Sequence, residues 1–361
     1  MSSAEINTPV AWTVADLAAD SGWVFEINDK ARSHLAEVAK TAYVPDKALF
    51  DYTRDDIDLG PAHDTVAAAV SEALNGRGLA LVRGLPRAGL SEAQFEMLNW
   101  GIGLHTGVAR PQGRASQYLS QVRNVGTDYR SASGRGFSSN AKLDFHADGA
   151  DLATLGCYNT ARSGGQSMIS SSLTVRNLLL EERPDLAEVA EQAFYFSRQN
   201  EEAPDETPAY GQPLFDSADG RWFCRWNRNR VQSAQKIEDV PQLTVEQRET
   251  MDKLDQLFQR PDVMFTMYIT PGDLQIMNNN VVLHSRTDFT DFEEPEKKRL
   301  LTRLWIAPPN SVRLPESWRV SYRSIDPGTV RGGIRGHNYD EACRGFDRRQ
   351  AAVHGMSTDV A

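Results

Sequence analysis

The sequence predicts a mainly β fold with inserted helices (α+β), either a β-sandwich or a jelly roll. First, a series of short apolar segments runs along the middle of the chain, with turn residues between them. Second, helical patterns interrupt this series without the regular strand–helix alternation of a parallel sheet. Third, the chain contains neither a GxGxxG fingerprint nor a Walker A loop. These observations disfavour a nucleotide-binding α/β fold.

Eight segments are predicted to form strands, because each is five to nine residues long, rich in apolar residues and bounded by turn residues. They are Gly78–Pro86, Tyr118–Val122, Leu152–Tyr158, Ala193–Ser197, Arg221–Trp226, Val263–Ile269, Leu274–Asn278 and Leu300–Ala307. The clearest turn signal is the Pro-Gly-Asp sequence at 271–273. Many short strands of this kind are typical of sandwiches and jelly rolls.

Helices are predicted where capping residues precede an amphipathic pattern. Ser91 with Gln94, and Thr244 with Gln247, have the spacing of capping boxes, and Asp64 is the expected N-cap of an alanine-rich helix. The expected helices are about Asp29–Ala42, Asp64–Leu74, Ser91–Gly103, Ser171–Glu182, Pro184–Gln192 and Leu243–Arg260.

Two long segments have no periodicity and are predicted to be loops. Arg123–Lys142 is about 20 residues long and rich in glycine and serine, and such loops in compact domains are usually functional or disordered. It is either a flap over a pocket or a mobile surface loop. The second segment, Arg198–Gln212, is acidic and contains two prolines.

The chain of 361 residues carries 39 lysine and arginine residues against 49 aspartate and glutamate residues, a formal charge of −10. This acidic balance, without a lysine- or arginine-rich run, disfavours nucleic acid as a partner. No apolar run approaches the roughly 18 residues of a membrane helix, and the first residues lack a signal-peptide pattern. Three separated cysteines without a CxxC pair suit a reducing compartment. We therefore expect a soluble cytoplasmic protein without membrane contact.

Three residues could hold a metal ion together. His146 and Asp148 are two positions apart, so in an extended segment both side chains project to one face. His284 follows two apolar stretches, and a jelly roll could bring it beside them. Two histidines and one carboxylate form the facial triad of non-heme Fe(II) oxygenases. The alternative is that His146 is an ordinary core or hairpin histidine, since an HxD sequence alone is common.

Two arginines downstream of His284 add a second signal. Arg299 and Arg303 are four residues apart, which places them on one face of a strand. The residues around them are apolar, which favours burial of at least part of this strand. Buried guanidinium groups are costly unless a carboxylate meets them, so a carboxylate ligand is one explanation. The other is an outward-facing strand with surface salt bridges.

The motifs together resemble the Fe(II)/2-oxoglutarate-dependent dioxygenases of the taurine dioxygenase and clavaminate synthase-like (TauD/TfdA) superfamily. They span about two thirds of the chain and occur in family order. The matching segments are GLALVRGLP at 78–86, FHADG at 145–149, SGGQS at 163–167, PGDLQIMNNNVVLHSRT at 271–287, and the Arg-x3-Arg strand. The resemblance implies a double-stranded β-helix, cupin-like core. It also implies a single domain over residues 1–361, with an N-terminal extension of about 60 residues and a C-terminal tail from about 316.

The resemblance also implies roles for individual residues. His146, Asp148 and His284 match the family's iron ligands. Arg299, 15 residues after His284, matches the arginine that binds the distal carboxylate of 2-oxoglutarate. Because a carboxylate occupies position 148, hydroxylation or a related two-electron oxidation is expected rather than halogenation, for which related enzymes leave that position empty.

Two further positions match family contacts. Ser167 matches a position that is often threonine and whose hydroxyl contacts the cosubstrate, so the serine is a departure from the pattern. Arg303 matches a second arginine that faces 2-oxoglutarate or an acidic group of the substrate. The expected cofactors are Fe(II), 2-oxoglutarate as cosubstrate, and O2. The expected reaction oxidises an unactivated C–H bond of a small polar molecule, releasing succinate and CO2.

Substrate contacts are predicted from polar residues near these motifs. The candidates are Asn140, Lys142, Asp151, Arg225 and Arg228. The alternative for any single one of them is a solvated surface group. The arginines and asparagines among them and in the segment RWNRNR at 225–230 suggest an acidic or zwitterionic small molecule, such as an amino acid or a sulfonate. Two other functions remain as alternatives: a metal-dependent hydrolase that uses the same three ligands, and a non-catalytic jelly roll that binds a small molecule. A homo-oligomer is left open, since family members often form dimers or tetramers.

Overall fold

The computed structural model describes residues 8–127 and 136–358. Within these ranges it contains ten α-helices. They are α1 Val14–Ala19, α2 Asp29–Ala42, α3 His63–Asn75, α4 Glu92–Thr106, α5 Ser172–Glu182, α6 Pro184–Ala190, α7 Arg228–Ala234, α8 Val245–Phe258, α9 Arg319–Tyr322 and α10 Glu341–His354.

Sixteen strands lie in the same part of the chain. They are β1 Val24–Glu26, β2 Leu79–Arg83, β3 Val108–Arg110, β4 Leu119–Val122, β5 Leu152–Asn159, β6 Ser163–Gly164, β7 Ser167–Ser171, β8 Ala193–Ser197, β9 Ala209–Pro213, β10 Phe215–Ala218, β11 Arg221–Cys224, β12 Phe265–Met267, β13 Leu274–Asn278, β14 Val282–Arg286, β15 Phe289–Thr290 and β16 Leu300–Ala307.

The large sheet has seven strands in the order β1-β2-β13-β5-β16-β3, with β4 also paired to β16. β1 and β2 are parallel and the other pairs are antiparallel. The predicted N-terminal extension is part of this core, because β1 is its edge strand. Residues of α2 also pack in the main apolar cluster on one face of the sheet.

A smaller sheet, in the order β12-β7-β14, faces the large one. One apolar cluster joins them, with Leu79 and Leu81 of β2 packed against Ile169 of β7 and Val282 of β14. The Ser167 hydroxyl donates a hydrogen bond to Gln275 Oε1 of β13 at 3.1 Å. Two opposed sheets that helices cover agree with the predicted cupin-like jelly roll.

Strand β16 shows how side-chain alternation positions the interior residues. All eight of its residues are buried. Leu304 and Ile306 pack on the helix-covered side of the large sheet. Arg303 and Trp305 point to the other face, because successive side chains of a strand project to opposite sides. The same rule delivers polar groups to the space between the sheets.

Most predicted helices agree with the structure, and both predicted capping boxes are present at Ser91 and Thr244. The N-cap prediction at Asp64 is wrong: the helix begins at His63, after a 3-10 turn, and Asp64 lies in its first turn. A turn that already has helical dihedral angles continues directly into α3, so no side chain caps the helix. None of the described helices is long and apolar enough to cross a membrane.

Other boundaries differ from the prediction. The acidic loop from Arg198 ends earlier than expected, because Ala209–Pro213 forms β9 and pairs with β8. Of the glycine-rich segment Arg123–Lys142, residues 128–135 lie outside the described residues, and Gly136–Ser138 forms a 3-10 turn. Only Phe265–Met267 of the predicted strand Val263–Ile269 pairs in a sheet.

The C-terminal residues pack into the rest of the molecule. Buried Arg331 forms an ion pair with Asp151 at 2.7 Å, with both side chains at 3% exposure or less. Helix α10 supplies Phe346, which belongs to the same apolar cluster as α4. The predicted tail from residue 316 therefore contributes to the folded core.

Candidate active site

Three side chains that could hold a metal ion together converge between the two sheets. His284 lies in the middle of β14, and its backbone exchanges two hydrogen bonds of 3.0 Å with His146. Asp148 follows two residues later. His146 Nε2 lies 3.9 Å from Asp148 Oδ1, and His284 Nε2 lies 3.8 Å from Asp148 Oδ2. The three ligand atoms all lie within 4.8 Å of one another, which suits a single ion.

The segment around His146 is extended, as the metal-site prediction required, but it does not form a regular strand. His146 makes only isolated bridges, to His284 on one side and Asn227 on the other. These bridges still hold it extended, and Asp148 reaches the same centre. The alternative of an ordinary core histidine does not fit this convergence of two imidazoles and a carboxylate.

Electrostatics keep Asp148 ionised. Burial alone would raise its pKa, but Arg303 and the two histidines lower the pKa to about 2. Trp305 Nε1 donates a hydrogen bond of 2.8 Å to Asp148 Oδ2, and Arg303 Nη1 lies 3.7 Å from the same oxygen. The carboxylate is thus held in the charged form that metal binding requires.

His284 has the complementary, uncharged state. Burial, followed by the proximity of His146, lowers the pKa of His284 to about 3, so this imidazole is neutral near neutral pH. Nδ1 of His146 lies 2.9 Å from the carbonyl oxygen of Asp144. As a donor to that carbonyl it leaves Nε2 free to face the centre, the usual arrangement of a metal-bound histidine. Two imidazoles and one carboxylate fit Fe(II).

Arg299 is a buried cation whose guanidinium forms no ion pair with a carboxylate of the described residues, although the Asp291 carboxylate accepts a hydrogen bond of 2.8 Å from its backbone N–H. It is 6% exposed, and among the described residues its Nη1 has no hydrogen-bond partner. Burial lowers its pKa to about 10. The guanidinium lies 5.1 Å from the centre of the Phe289 ring. An isolated buried charge is unfavourable unless an anion joins it, so this group fits the carboxylate of a ligand.

The glycine pair of SGGQS allows the chain to approach Arg299. Both Gly164 and Gly165 have positive φ, 72° and 73°, where other residues are strained. A Cβ at position 165 would lie 3.2 Å from Arg299 Nε, and one at 164 would lie 2.1 Å from the Asp288 carbonyl oxygen. The motif therefore has a steric reason in this structure.

The other predicted cofactor residues lie close by. Arg303 is 9% exposed, and its Nε donates to Gln112 Oε1 at 2.7 Å. Ser167 begins β7 and is buried, with its hydroxyl on Gln275. All six predicted metal and cosubstrate residues line one cavity, whose apolar wall includes Phe137, Leu155, Ile269, Trp305 and Ile334.

The predicted substrate residues lie in different places. Arg225 lines the cavity, and its Nη1 donates to the carbonyl oxygen of Asp148 at 2.6 Å. Asn140 is exposed and donates to the Phe289 carbonyl oxygen, and exposed Lys142 reaches Gln259. Asp151 is held by Arg331. These three line none of the described cavities, so their placement does not support a substrate role.

Several cavity residues were not predicted. They are Gln112, Gln199, Glu201, Asn227, Asn229, Arg230 and Trp305. Asn227 and Arg230 belong to the RWNRNR segment. The charge pattern of this segment does not show which of its side chains face inward. Arg228 of that segment instead pairs with Asp252 and Asp255 of α8. Glu201 lies in the acidic loop, and composition alone gave no sign of its position.

Comparisons with known proteins agree with this geometry. Residues 46–305 match the family described as "Taurine catabolism dioxygenase TauD, TfdA family". FR-33289 synthase of Streptomyces rubellomurinus is 30% identical over 310 residues, covering 85% of this chain and 91% of that protein.

Two solved structures have similar folds. The asparagine oxygenase with Fe(II), 3-hydroxyasparagine and succinate has a TM-score of 0.61 and 18% identity, and the match covers 79% of this chain and 93% of that one. The non-heme iron oxygenase OrfP with Fe, succinate and (3S)-hydroxy-L-Arg has a TM-score of 0.58 and 14% identity, covering 79% and 94%.

The family match extends over most of the chain, from before β2 to the end of the Arg-x3-Arg strand. It favours an oxygenase over the hydrolase and binding-protein alternatives. The cofactors of such an enzyme are Fe(II), 2-oxoglutarate and O2, and the His-Asp-His cluster and Arg299 provide a suitable site. This chain belongs to the TauD/TfdA family of Fe(II)/2-oxoglutarate-dependent dioxygenases.

Proposed function

We propose that this enzyme hydroxylates an unactivated C–H bond of a small anionic or zwitterionic molecule, such as an amino acid or a related acid. The observation that carries the proposal is that one cavity is lined by the His146–Asp148–His284 cluster and by Arg299, whose Nη1 has no hydrogen-bond partner among the described residues. A metal-binding triad and a separate buried cation are what a metal-chelating dicarboxylate requires.

In this proposal His146, Asp148 and His284 bind Fe(II) and leave three coordination positions open. Arg299 binds the distal carboxylate of 2-oxoglutarate, and the Ser167 hydroxyl turns from Gln275 to that carboxylate. When bound, Fe(II) and 2-oxoglutarate supply the oxidising chemistry with O2, and 2-oxoglutarate leaves as succinate and CO2. Asp148 occupies the carboxylate position, which favours hydroxylation over halogenation.

The charges of the cavity favour an anionic or zwitterionic substrate. Five arginines line it, at positions 225, 230, 286, 299 and 303, against two carboxylates, Asp148 and Glu201. Asp148 is assigned to the metal, and Glu201 pairs with Arg230 at 2.7 Å. A cationic side chain of a substrate would therefore find no uncommitted carboxylate among the described lining residues. Arg303 and Arg225 are proposed to face an acidic group of the substrate.

Part of the cavity wall is apolar, with Phe137, Ile269 and Ile334 among its residues. A substrate packed against it would displace water from the reacting carbon. Trp305 holds Asp148 in place while this happens. The chain's part in the reaction is thus to orient the target carbon and exclude water.

The test is an anaerobic titration of the metal-free protein with Fe(II) and 2-oxoglutarate, following the weak visible charge-transfer band of the chelate. We expect the band only when both are present. His284→Ala should abolish it, and Arg299→Gln should shift its half-saturation to higher 2-oxoglutarate. Arg313→Gln is the control, because Arg313 forms an exposed ion pair with Asp326 away from the cavity.

A folded protein that gives no band would overturn the proposal. If the band forms, succinate release is measured with a panel of amino acids and small carboxylic, sulfonic and phosphonic acids. We expect stimulation by acidic or zwitterionic compounds. Stimulation by cationic amines alone would contradict the substrate class while leaving the cofactor chemistry intact.

We also place the enzyme in the cytoplasm, since its three cysteines are buried free thiols.

A further inference from the structure

A smaller inner pocket adjoins the active-site cavity. Five residues line both spaces: Gly149, Glu201, Arg225, Arg230 and Ile334. The inner pocket continues toward Arg198, Tyr210 and Ser321. Arg225, which lines both spaces, donates hydrogen bonds to the backbone carbonyl oxygens of Ala147 and Asp148. The inner pocket is therefore next to the segment that carries Asp148. A ligand in the active-site cavity could therefore extend one end into it.

Positive charge is in excess around this pocket. Arg198, Arg225 and Arg230 line it together with Glu201 and Glu206. Glu201 is paired with Arg230 at 2.7 Å, so that pair is neutral.

Glu206 is shared among three arginines. Its carboxylate lies 3.3 Å from both Arg323 and Arg335 and 3.9 Å from Arg198. Arg335 has an additional partner in the exposed Asp205 at 2.7 Å. The five arginines near the pocket thus face three carboxylates, which leaves two positive charges without a counter-charge from these residues.

Arg225 is the clearest unbalanced cation. It is 6% exposed, and the described residues provide it with no ion pair to a carboxylate. Its Nη1 donates to two backbone carbonyl oxygens, those of Ala147 at 3.3 Å and Asp148 at 2.6 Å, while Nε has no partner. Its guanidinium also hydrogen-bonds with the Tyr210 hydroxyl, and the Asp148 carboxylate acts on it electrostatically without forming an ion pair. A buried guanidinium without a direct carboxylate partner is a site that an anion would stabilise.

Tyr210 reports the same positive field. Burial would raise its pKa, but Arg225, Arg230 and Arg198 lower the pKa below the ordinary value. Its ring lies against Phe196 and beside the Arg198 guanidinium, with centroid distances of 5.6 Å and 4.6 Å. The phenol is therefore fixed in position and can donate a hydrogen bond to an oxyanion.

We propose that the inner pocket is a substrate subsite for an oxyanion, a carboxylate, sulfonate or phosphonate, with Arg225, Arg230 and Tyr210 as its main contacts. This inference rests on the proposed function, and it adds the shape of the substrate. The substrate carries its anionic group at one end and the oxidised carbon at the other, near His146 and His284. The chemistry of the three oxyanions is shared, so the experiment distinguishes among them.

The test measures binding of acetate, methanesulfonate and methylphosphonate to the anaerobic Fe(II)·2-oxoglutarate complex by isothermal titration calorimetry. The bound 2-oxoglutarate keeps the probes away from Arg299. We expect saturable binding of at least one probe, and the preferred probe identifies the group. Arg230→Gln should weaken that binding about tenfold or more, since it removes a charge-assisted contact. Tyr210→Phe keeps the ring packing and should weaken binding severalfold.

Arg228→Gln is the matched control, because it removes the same charge two residues away from a side chain that pairs with Asp252 and Asp255. It should bind the probes like the unmodified protein. No saturable binding of any probe, or equal weakening by Arg228→Gln and Arg230→Gln, would overturn the subsite. The charge-transfer band of each sample is recorded separately. Its absence would count against the proposed function, whereas its presence without probe binding would count against the subsite alone.

Discussion

Arg331 and Arg299 are both buried arginines, yet their surroundings are opposite. Arg331 is fully buried, and two of its nitrogens donate to the two oxygens of Asp151 at 2.7 and 3.0 Å. Further donors reach the carbonyl oxygens of Ile325 and Val312. The part of the chain that the structure describes provides no such partners for the Arg299 guanidinium. A buried charge that is paired with an opposite charge thus holds the fold together, whereas a buried charge without such a partner marks a place where a ligand binds.

The largest expected effect is on the free energy of unfolding, at Arg331, whose charge is paired with that of Asp151. Arg331→Gln leaves the Asp151 carboxylate buried without its cation, which should lower the free energy of unfolding by about 3–5 kcal/mol. Chemical denaturation followed by fluorescence measures it. Arg313→Gln, which breaks an exposed ion pair, should change stability by less than about 1 kcal/mol. Similar losses in the two variants would mean that Arg331 does not act as a buried structural pair.

Arg299→Gln should weaken ligand binding without lowering the stability of the protein. It removes a charge-assisted contact worth about 1.5–3 kcal/mol to a carboxylate, so 2-oxoglutarate binding should weaken about 10- to 100-fold. The free energy of unfolding of the ligand-free protein should stay the same or rise, since an uncompensated buried charge is gone. A stability loss as large as that of Arg331→Gln would show that Arg299, like Arg331, stabilises the fold.

The third prediction concerns Trp305, whose Nε1 holds Asp148 Oδ2. Trp305→Phe removes this donor and should weaken Fe(II) binding about tenfold, as for other partners of metal ligands. Trp318→Phe is the control, because Trp318 is fully buried but its Nε1 has no hydrogen-bond partner among the described residues. Equal Fe(II) affinities in the two variants would show that the Trp305 hydrogen bond does not position the carboxylate.

The smallest effect is expected at Ser167. Ser167→Ala removes one hydrogen bond to the carboxylate of 2-oxoglutarate. Because the hydroxyl gives up its bond to Gln275 to make that contact, the net loss is about 0.5–1.5 kcal/mol and should raise the half-saturating 2-oxoglutarate concentration about 2- to 10-fold. Ser170→Ala, three residues along β7, removes a hydroxyl that instead binds the Phe258 carbonyl oxygen. That control should leave 2-oxoglutarate binding unchanged. An effect of the same size in both variants would remove Ser167 from the cosubstrate site.

Local patterns in the sequence predicted much of the fold. Helix α2 and strands β8, β13 and β16 have the predicted ends, because apolar periodicity and turn residues act over a few neighbouring positions. The capping boxes at Ser91 and Thr244 are local for the same reason. The failed N-cap at Asp64 shows the limit, since a preceding turn with helical geometry extended the helix past the expected cap.

Residue types and motif spacing also predict that the three metal-ligand candidates belong to one site. The structure adds that β14 lies beside the segment of His146, and this pairing of distant segments makes three separated residues one cluster. Local sequence cannot encode that contact, because it depends on the order of strands in the sheets.

The partners of buried charges were decided by the tertiary structure alone. Asp151 looked like a substrate contact because it follows the HxD motif, but Arg331, 180 residues away in sequence, occupies it. Arg225 and Arg228 looked alike in one segment, yet the first faces the cavity and the second faces α8. By itself the sequence determined which groups were available and on which strand face they lie. Only the packed structure decided which charges are neutralised, because that depends on distances between elements far apart in the chain.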